Sequence, residues 1–101
     1  MQNINLLFGG DTKDVDIICV PSEIANKIGL IANDYFTWMH NNIDRHDYWI
    51  LGKNKEKVLC YETESFVWWI NNHCGQCDDK AGAYIVTQHT ELVSEYLTVN
   101  F

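Results

Sequence analysis

The chain has 101 residues, of which 47% are hydrophobic and 13% aromatic, and this composition indicates one folded domain over residues 1–101 rather than a disordered chain. Fourteen acidic residues against seven basic ones give a formal net charge of −7 at pH 7. A surface this negative disfavours nucleic acid and anionic membranes as partners and favours a positively charged protein.

The first part of the chain predicts two strands followed by one long helix. Apolar runs at 4–8 and 15–20, separated by a Gly-Gly-Asp turn, predict a β-hairpin. Ser22 then stands at an N-cap position, and apolar residues recur at spacings of three and four after it. The stripe predicts a single amphipathic helix over 22–40, built on Ile24, Ile28, Ile31, Tyr35, Trp38 and Met39.

A second hairpin and an aromatic helix follow. The runs "DYWIL" (47–51) and "KVLCYE" (57–62) flank the lysine-rich connection "GKNKE", which predicts a β-hairpin with a longer loop. Thr63 is the predicted N-cap of the next helix, which runs to residue 73 and carries Trp69 on its apolar side.

The last part of the chain predicts one more strand and a short helix. "AYIVTQ" (83–88) is the strand, and the spacing of the apolar residues over 91–97 predicts the helix. The resulting element order is ββαββαβα. We expect an α+β domain in which helices lie on one mainly antiparallel sheet.

The segment "HCGQC" (73–77) is the most chemically suggestive stretch of the chain. A zinc or redox module using the Cys74–Cys77 pair is one alternative for its function. Zinc needs about four ligands, however, and Cys19 and Cys60 lie within predicted strands, so a second pair is missing. A reactive C-x-x-C begins a helix, whereas here the helix comes first and Gly75 is placed to end it. We expect a helix end with protonated thiols and no cofactor.

The stretch "HNNIDRHD" (40–47) combines imidazoles and carboxylates, which could act as acid and base or as metal ligands. The gap from His40 to His46 fits no standard zinc spacing and crosses a predicted helix end. A polar loop explains the stretch without chemistry. We therefore predict no catalytic residue and no metal site, and we expect the protein not to be an enzyme.

The amino terminus "MQNINLLFGGD" has no signal-peptide pattern, and no apolar run approaches the ~18 residues that a membrane helix needs. The sequence therefore predicts a cytoplasmic protein. Its cysteines are expected to be reduced in that compartment.

Two segments carry a resemblance to a known class of proteins. "VPSEIANKIGLIANDYFTWM" is an early amphipathic helix, and "DYWILGKNKEKVLCYETESFVWWINNH" is a hairpin that leads straight into an aromatic helix. In size, acidity and element order, residues 15–73 resemble the small immunity proteins of bacterial polymorphic-toxin and contact-dependent growth-inhibition systems. The resemblance implies a cognate toxin as partner, often a nuclease domain with a basic cleft that an acidic protein can cover or block from the side.

The resemblance and the negative charge together suggest which residues contact such a toxin. Carboxylates would stand where phosphates bind, and a few aromatic anchors would occupy the centre of the interface. The predicted toxin-binding residues are Asp34, Trp38, Asp44, Asp47, Tyr48, Trp69, Asp78 and Asp79. An adaptor domain that uses the same acidic and aromatic face for another host protein is a further alternative.

Overall fold

The computed structural model describes residues 1–74 and 82–101. The strands are β1 (Gln2–Leu7), β2 (Val15–Val20), β3 (Trp49–Leu51), β4 (Lys57–Leu59), β5 (Tyr84–Thr90) and β6 (Leu97–Asn100). The helices are α1 (Ser22–Ala25), α2 (Ile28–Asn41) and α3 (Thr63–His73), and a short 3-10 helix spans Ile43–Arg45. The predicted α+β class is confirmed.

The main sheet has four strands in the order β5-β2-β1-β6. β1 and β2 form the predicted antiparallel hairpin, in register from Gln2 opposite Val20 to Leu7 opposite Val15. β5 joins β2 antiparallel, while β6 joins β1 parallel, so the sheet is mainly antiparallel as expected. Both central strands are buried on both faces, which explains why they consist of nearly continuous apolar runs.

The helices cover one face of this sheet, here called the front face, and form the main core with it. Tyr35 of α2 meets Phe66 of α3 edge to face, with ring centroids 5.0 Å apart, and Phe101 lies 5.1 Å from Phe66. The Tyr35 hydroxyl is 2.7 Å from Ser65 Oγ, so a buried pair of hydroxyl groups is satisfied within the core.

The predicted single helix over 22–40 is wrong in one respect, because the structure divides it into α1 and α2. Asn26 and Lys27 are exposed between them, and Lys27 leaves helical geometry at φ −120°, ψ 16°. Asn26 and Gly29 both have weak helix propensity, so the chain can turn here while each piece keeps its apolar side on the core.

Both predicted N-caps are displaced by one residue. Pro21, rather than Ser22, precedes α1, and its carbonyl accepts hydrogen bonds from the first turn. Glu62, rather than Thr63, caps α3 and forms a capping box in which the Ser65 hydroxyl accepts a hydrogen bond from the Glu62 N–H over 3.3 Å. The predicted end of α3 at residue 73 is confirmed.

The predicted C-terminal helix over 91–97 is wrong. Residues 91–96 instead form a loop that crosses the back face of the sheet and leads into β6. The buried Asn5 side chain holds this loop by donating to the Val93 carbonyl over 2.8 Å and accepting from the Val93 N–H over 3.2 Å. Val93 and Tyr96 pack on Leu7, Val15 and Ile17, so the apolar spacing that suggested a helix serves a covering loop.

The second hairpin, β3–β4, forms as predicted but makes a separate two-stranded sheet. Its strands pair from Trp49 opposite Leu59 to Leu51 opposite Lys57, with the Gly52 N–H donating to the Glu56 carbonyl at the turn. The whole element order is therefore ββααββαββ rather than ββαββαβα.

Candidate functional site

A groove of about 480 Å³ runs between α2 and α3 and is here called the α2–α3 groove. Positions 34, 38 and 41 are spaced at four and three residues, so they project from one side of α2, and positions 69 and 73 do so from α3. The groove thereby brings together three of the eight predicted toxin-binding residues, Asp34, Trp38 and Trp69. Its lining residues are Asp34, Thr37, Trp38, Asn41, Asn42, Trp69 and His73.

The aromatic wall of the groove is built around His73. The His73 ring centroid lies 4.4 Å from that of Trp38 and 5.2 Å from that of Trp69, on which it stacks at 17°. Desolvation lowers the pKa of His73, so its imidazole is neutral at pH 7. The wall is consequently apolar and π-rich, and it supplies no positive charge of its own.

Asp34 is the acidic residue of the groove. Its side chain is exposed, and within residues 1–74 and 82–101 it forms no ion pair. An exposed carboxylate beside a neutral aromatic wall can accept a lysine or arginine from another molecule, because both the charge and the indole faces attract a cation.

Cys74 lies directly after α3, and its N–H donates to the Ile70 carbonyl over 2.9 Å. Burial raises the pKa of the Cys74 thiol, and the Asp34 carboxylate raises it further. A protonated thiol is a poor nucleophile and a poor metal ligand. The predicted helix end at Gly75 and the second cysteine, Cys77, lie outside the described residues.

The two predicted tryptophans of the groove differ in exposure. Trp38 is half-buried, whereas Trp69 is only 6% exposed and packs in the core as the floor of the groove. The Trp69 indole N–H has no hydrogen-bond partner within the described part of the chain. Trp38 is therefore the ring that another molecule can reach.

The predicted residues of the 44–48 segment lie beside the groove rather than in it. Asp44 pairs with Lys57 over 2.5 Å, which lowers the pKa of Asp44, so its charge is compensated within the chain. Asp47 is exposed. The Tyr48 ring centroid lies 5.7 Å from that of Trp68, which itself lies 6.0 Å from that of Trp38. Trp68 therefore connects Tyr48 to the aromatic wall of the groove. The remaining two predicted residues, Asp78 and Asp79, lie outside the described residues.

The histidines of the 40–47 stretch do not converge on one site. His46 is buried, with Nε2 3.1 Å from the Met39 carbonyl and Nδ1 accepting from the Tyr48 N–H. His40 Nε2 is 2.9 Å from the Tyr61 hydroxyl. His46 therefore has a structural role in the turn after α2, which fits the predicted polar loop.

Two surface features have no counterpart in the sequence analysis. The first is a stack of Phe36 on Tyr61, with centroids 5.6 Å apart and Phe36 47% exposed. The sequence signal for this stack was that Phe36 and His40 lie four residues apart on α2 and outside the buried stripe, which places an aromatic pair on the surface. The second is a cluster of Asp14, Asp16 and His89, in which His89 is too distant in sequence from the two aspartates to form a readable motif with them.

Comparisons with protein-family models, with curated proteins and with solved structures found no significant match to this chain. Among the described residues, the helices are all too short or too polar to cross a membrane. Any function therefore has to be inferred from the site geometry and the charge.

Proposed function

We propose that this protein is a cytoplasmic immunity protein that binds a basic bacterial toxin domain of the nuclease type and neutralises it. The observation that carries the proposal is the α2–α3 groove, where the Asp34 carboxylate, which has no ion pair within residues 1–74 and 82–101, lies beside the reachable indole of Trp38. A net charge of −7 on the chain supports a positively charged partner.

Binding at the groove would begin with a lysine or arginine of the toxin. Its cationic head would pair with the Asp34 carboxylate and lie against the Trp38 face, which adds about 0.5–2 kcal/mol as a cation–π contact. The Asn41 and Asn42 amides, which also line the groove, offer acceptors to the remaining N–H donors of a guanidinium. A residue that the toxin uses to hold phosphate would then be occupied.

The other predicted carboxylates would act at longer range. Asp47 is exposed and adds to the field that attracts a basic partner. Asp44 would contribute less, because Lys57 neutralises it. Asp78 and Asp79 remain predicted contacts. Such a protein needs no catalytic residue, since covering or blocking the active site of the toxin is sufficient.

The test is co-purification with the toxin encoded immediately upstream, followed by an assay of toxin nuclease activity with increasing amounts of this protein. We expect a one-to-one complex, loss of nuclease activity, and an association rate that falls as salt rises. A toxin that is neither bound nor inhibited would contradict the proposal. Capture of an unrelated host protein instead would identify the adaptor alternative.

The matched control is the double variant Cys74→Ser/Cys77→Ser. Because the raised pKa of Cys74 keeps its thiol protonated, we expect this variant to bind and inhibit the toxin like the wild type. Loss of inhibition in a folded double variant would instead favour the zinc or redox module.

A further inference from the structure

Asp14, Asp16 and His89 converge at the junction of β2 and β5. Asp14 directly precedes β2 and Asp16 is the second residue of that strand, where the β2–β5 register shifts between Val15 and Ile17. His89 adopts a left-handed conformation at φ 57°, and its Nδ1 lies 2.7 Å from Asp14 Oδ1. One ligand atom from each of the three side chains lies within 4.8 Å of the others.

Asp16 is the best-fixed member of this cluster. One of its carboxylate oxygens accepts from the His89 N–H over 3.1 Å. The other accepts from the Thr63 hydroxyl over 2.5 Å and from the Gln88 amide over 3.3 Å. Thr63 is buried at the start of α3, whereas Gln88 and His89 belong to β5, so two elements hold the carboxylate of this β2 residue. Neighbours of this kind orient the ligands of metal sites.

The charge around the cluster also suits a cation. Within residues 1–74 and 82–101, neither aspartate pairs with a lysine or an arginine, and the imidazole is the only ion-pair partner of Asp14. The pocket beside Asp16 adds the carboxylates of Glu62 and Glu64 to its lining. Two carboxylates and one imidazole would together neutralise a divalent cation and leave positions for water, because Asp14 and His89 are exposed.

We propose that Asp14, Asp16 and His89 bind a divalent transition-metal ion, with Zn²⁺ as the best-suited ion. Zinc takes imidazole nitrogen and carboxylate oxygen with three protein ligands and an open position, whereas Mg²⁺ demands an all-oxygen octahedral site. The site departs from our expectation that the chain has no metal site. It is also distinct from the Cys74–Cys77 pair and does not depend on the toxin-binding proposal.

The experiment is a calorimetric titration with ZnCl₂ alone, after removal of bound metal with a chelator. It uses the Cys74→Ser/Cys77→Ser background so that the Cys74–Cys77 pair cannot contribute. We expect one zinc ion per chain, and we expect that saturation disappears in His89→Asn. Asparagine tolerates a left-handed backbone, so this variant removes the imidazole without forcing the strand to refold. His40→Asn, which removes an exposed imidazole elsewhere, is the control and should bind zinc like the background protein.

A second variant separates the site from nonspecific zinc binding. Thr63→Val keeps the shape of the buried side chain but removes the hydroxyl that orients Asp16, and it should weaken zinc binding about 10- to 100-fold. Circular dichroism confirms that each variant is folded. Absence of zinc binding in the background protein, or equal zinc affinity in His89→Asn and His40→Asn, would overturn the proposal.

Discussion

The α2–α3 groove and the Asp14–Asp16–His89 cluster both present carboxylates, but their carboxylates are held differently. In the groove, Asp34 has an aromatic wall beside it and no ion pair within the described residues. In the cluster, Asp16 accepts hydrogen bonds from a hydroxyl, an amide and a backbone N–H. The difference indicates that the Asp34 carboxylate can turn towards another molecule, whereas the chain holds the Asp16 carboxylate in one orientation.

The largest effect that this comparison predicts is on stability. Asp16→Ala should lower the free energy of unfolding by about 2 kcal/mol, because it leaves the buried Thr63 hydroxyl and the His89 N–H without their acceptor. Asp34→Ala, which removes no side-chain hydrogen bond within residues 1–74 and 82–101, should stay within about 0.5 kcal/mol of the wild type. Urea unfolding in the presence of a chelator measures both. Equal losses of stability in the two variants would contradict the difference between the held Asp16 carboxylate and the unheld Asp34 carboxylate.

A smaller effect concerns the reactivity of the thiol next to the groove. Asp34→Asn should lower the pKa of Cys74, because it removes one of the two causes that raise it. Alkylation of Cys74 at pH 8 should then become faster, by less than about tenfold, since a tenfold change in thiolate needs a full pKa unit.

The alkylation rate is measured by mass spectrometry on a protein in which the other three cysteines are serine. Asp47→Asn is the control and should leave the rate unchanged. A rate that is insensitive to Asp34→Asn would show that the Asp34 carboxylate does not act on Cys74.

The smallest effects are in the titration of two imidazoles, one in each region. The hydrogen bond to Asp14 raises the pKa of His89, whereas desolvation lowers the pKa of His73. NMR titration of the metal-free protein should therefore place the His89 midpoint above the ordinary value of about 6.5 and the His73 midpoint below it. Midpoints in the reverse order would contradict the environments described for both rings.

These two shifts have opposite consequences for stability. The contribution of His89 is fully present below its unfolded-state pKa and is lost as pH rises through its raised folded-state pKa. His73 binds a proton less readily in the folded state than in the unfolded state. Its contribution therefore lowers the stability of the protein as pH falls below about 6.5. His89→Asn and His73→Asn should therefore change the pH dependence of unfolding in opposite directions.

Local sequence patterns predicted the parts of the fold that depend on neighbours in the chain. The hairpins and the end of α3 follow from turn residues and apolar spacing, and the grouping of Asp34 with Trp38 follows from their separation on one helix. The prediction of a C-terminal helix failed because the hydrogen-bond partner of Val93 is Asn5, 88 residues away. Hydrogen bonds over such distances leave no local signal.

The same limit explains why the two regions were not equally visible in the sequence. The groove is formed by two helices whose side chains recur at regular spacing, and three of its residues were predicted as toxin contacts. The cluster pairs Asp14 with His89 across 75 positions, and it depends on a register shift between β2 and β5. Residue spacing in the sequence does not predict that register shift.

The central claim is that the toxin binds the α2–α3 groove through Asp34, and the affinity of two charge-reversal variants tests it most directly. Asp34→Lys and Glu95→Lys change the net charge equally, but residue 95 lies in the loop on the back face of the sheet, away from the helices. Calorimetry with the cognate toxin should show at least about 30-fold weaker binding for Asp34→Lys, equivalent to about 2 kcal/mol, and a much smaller loss for Glu95→Lys. Equal losses for the two variants would contradict a specific role for the groove.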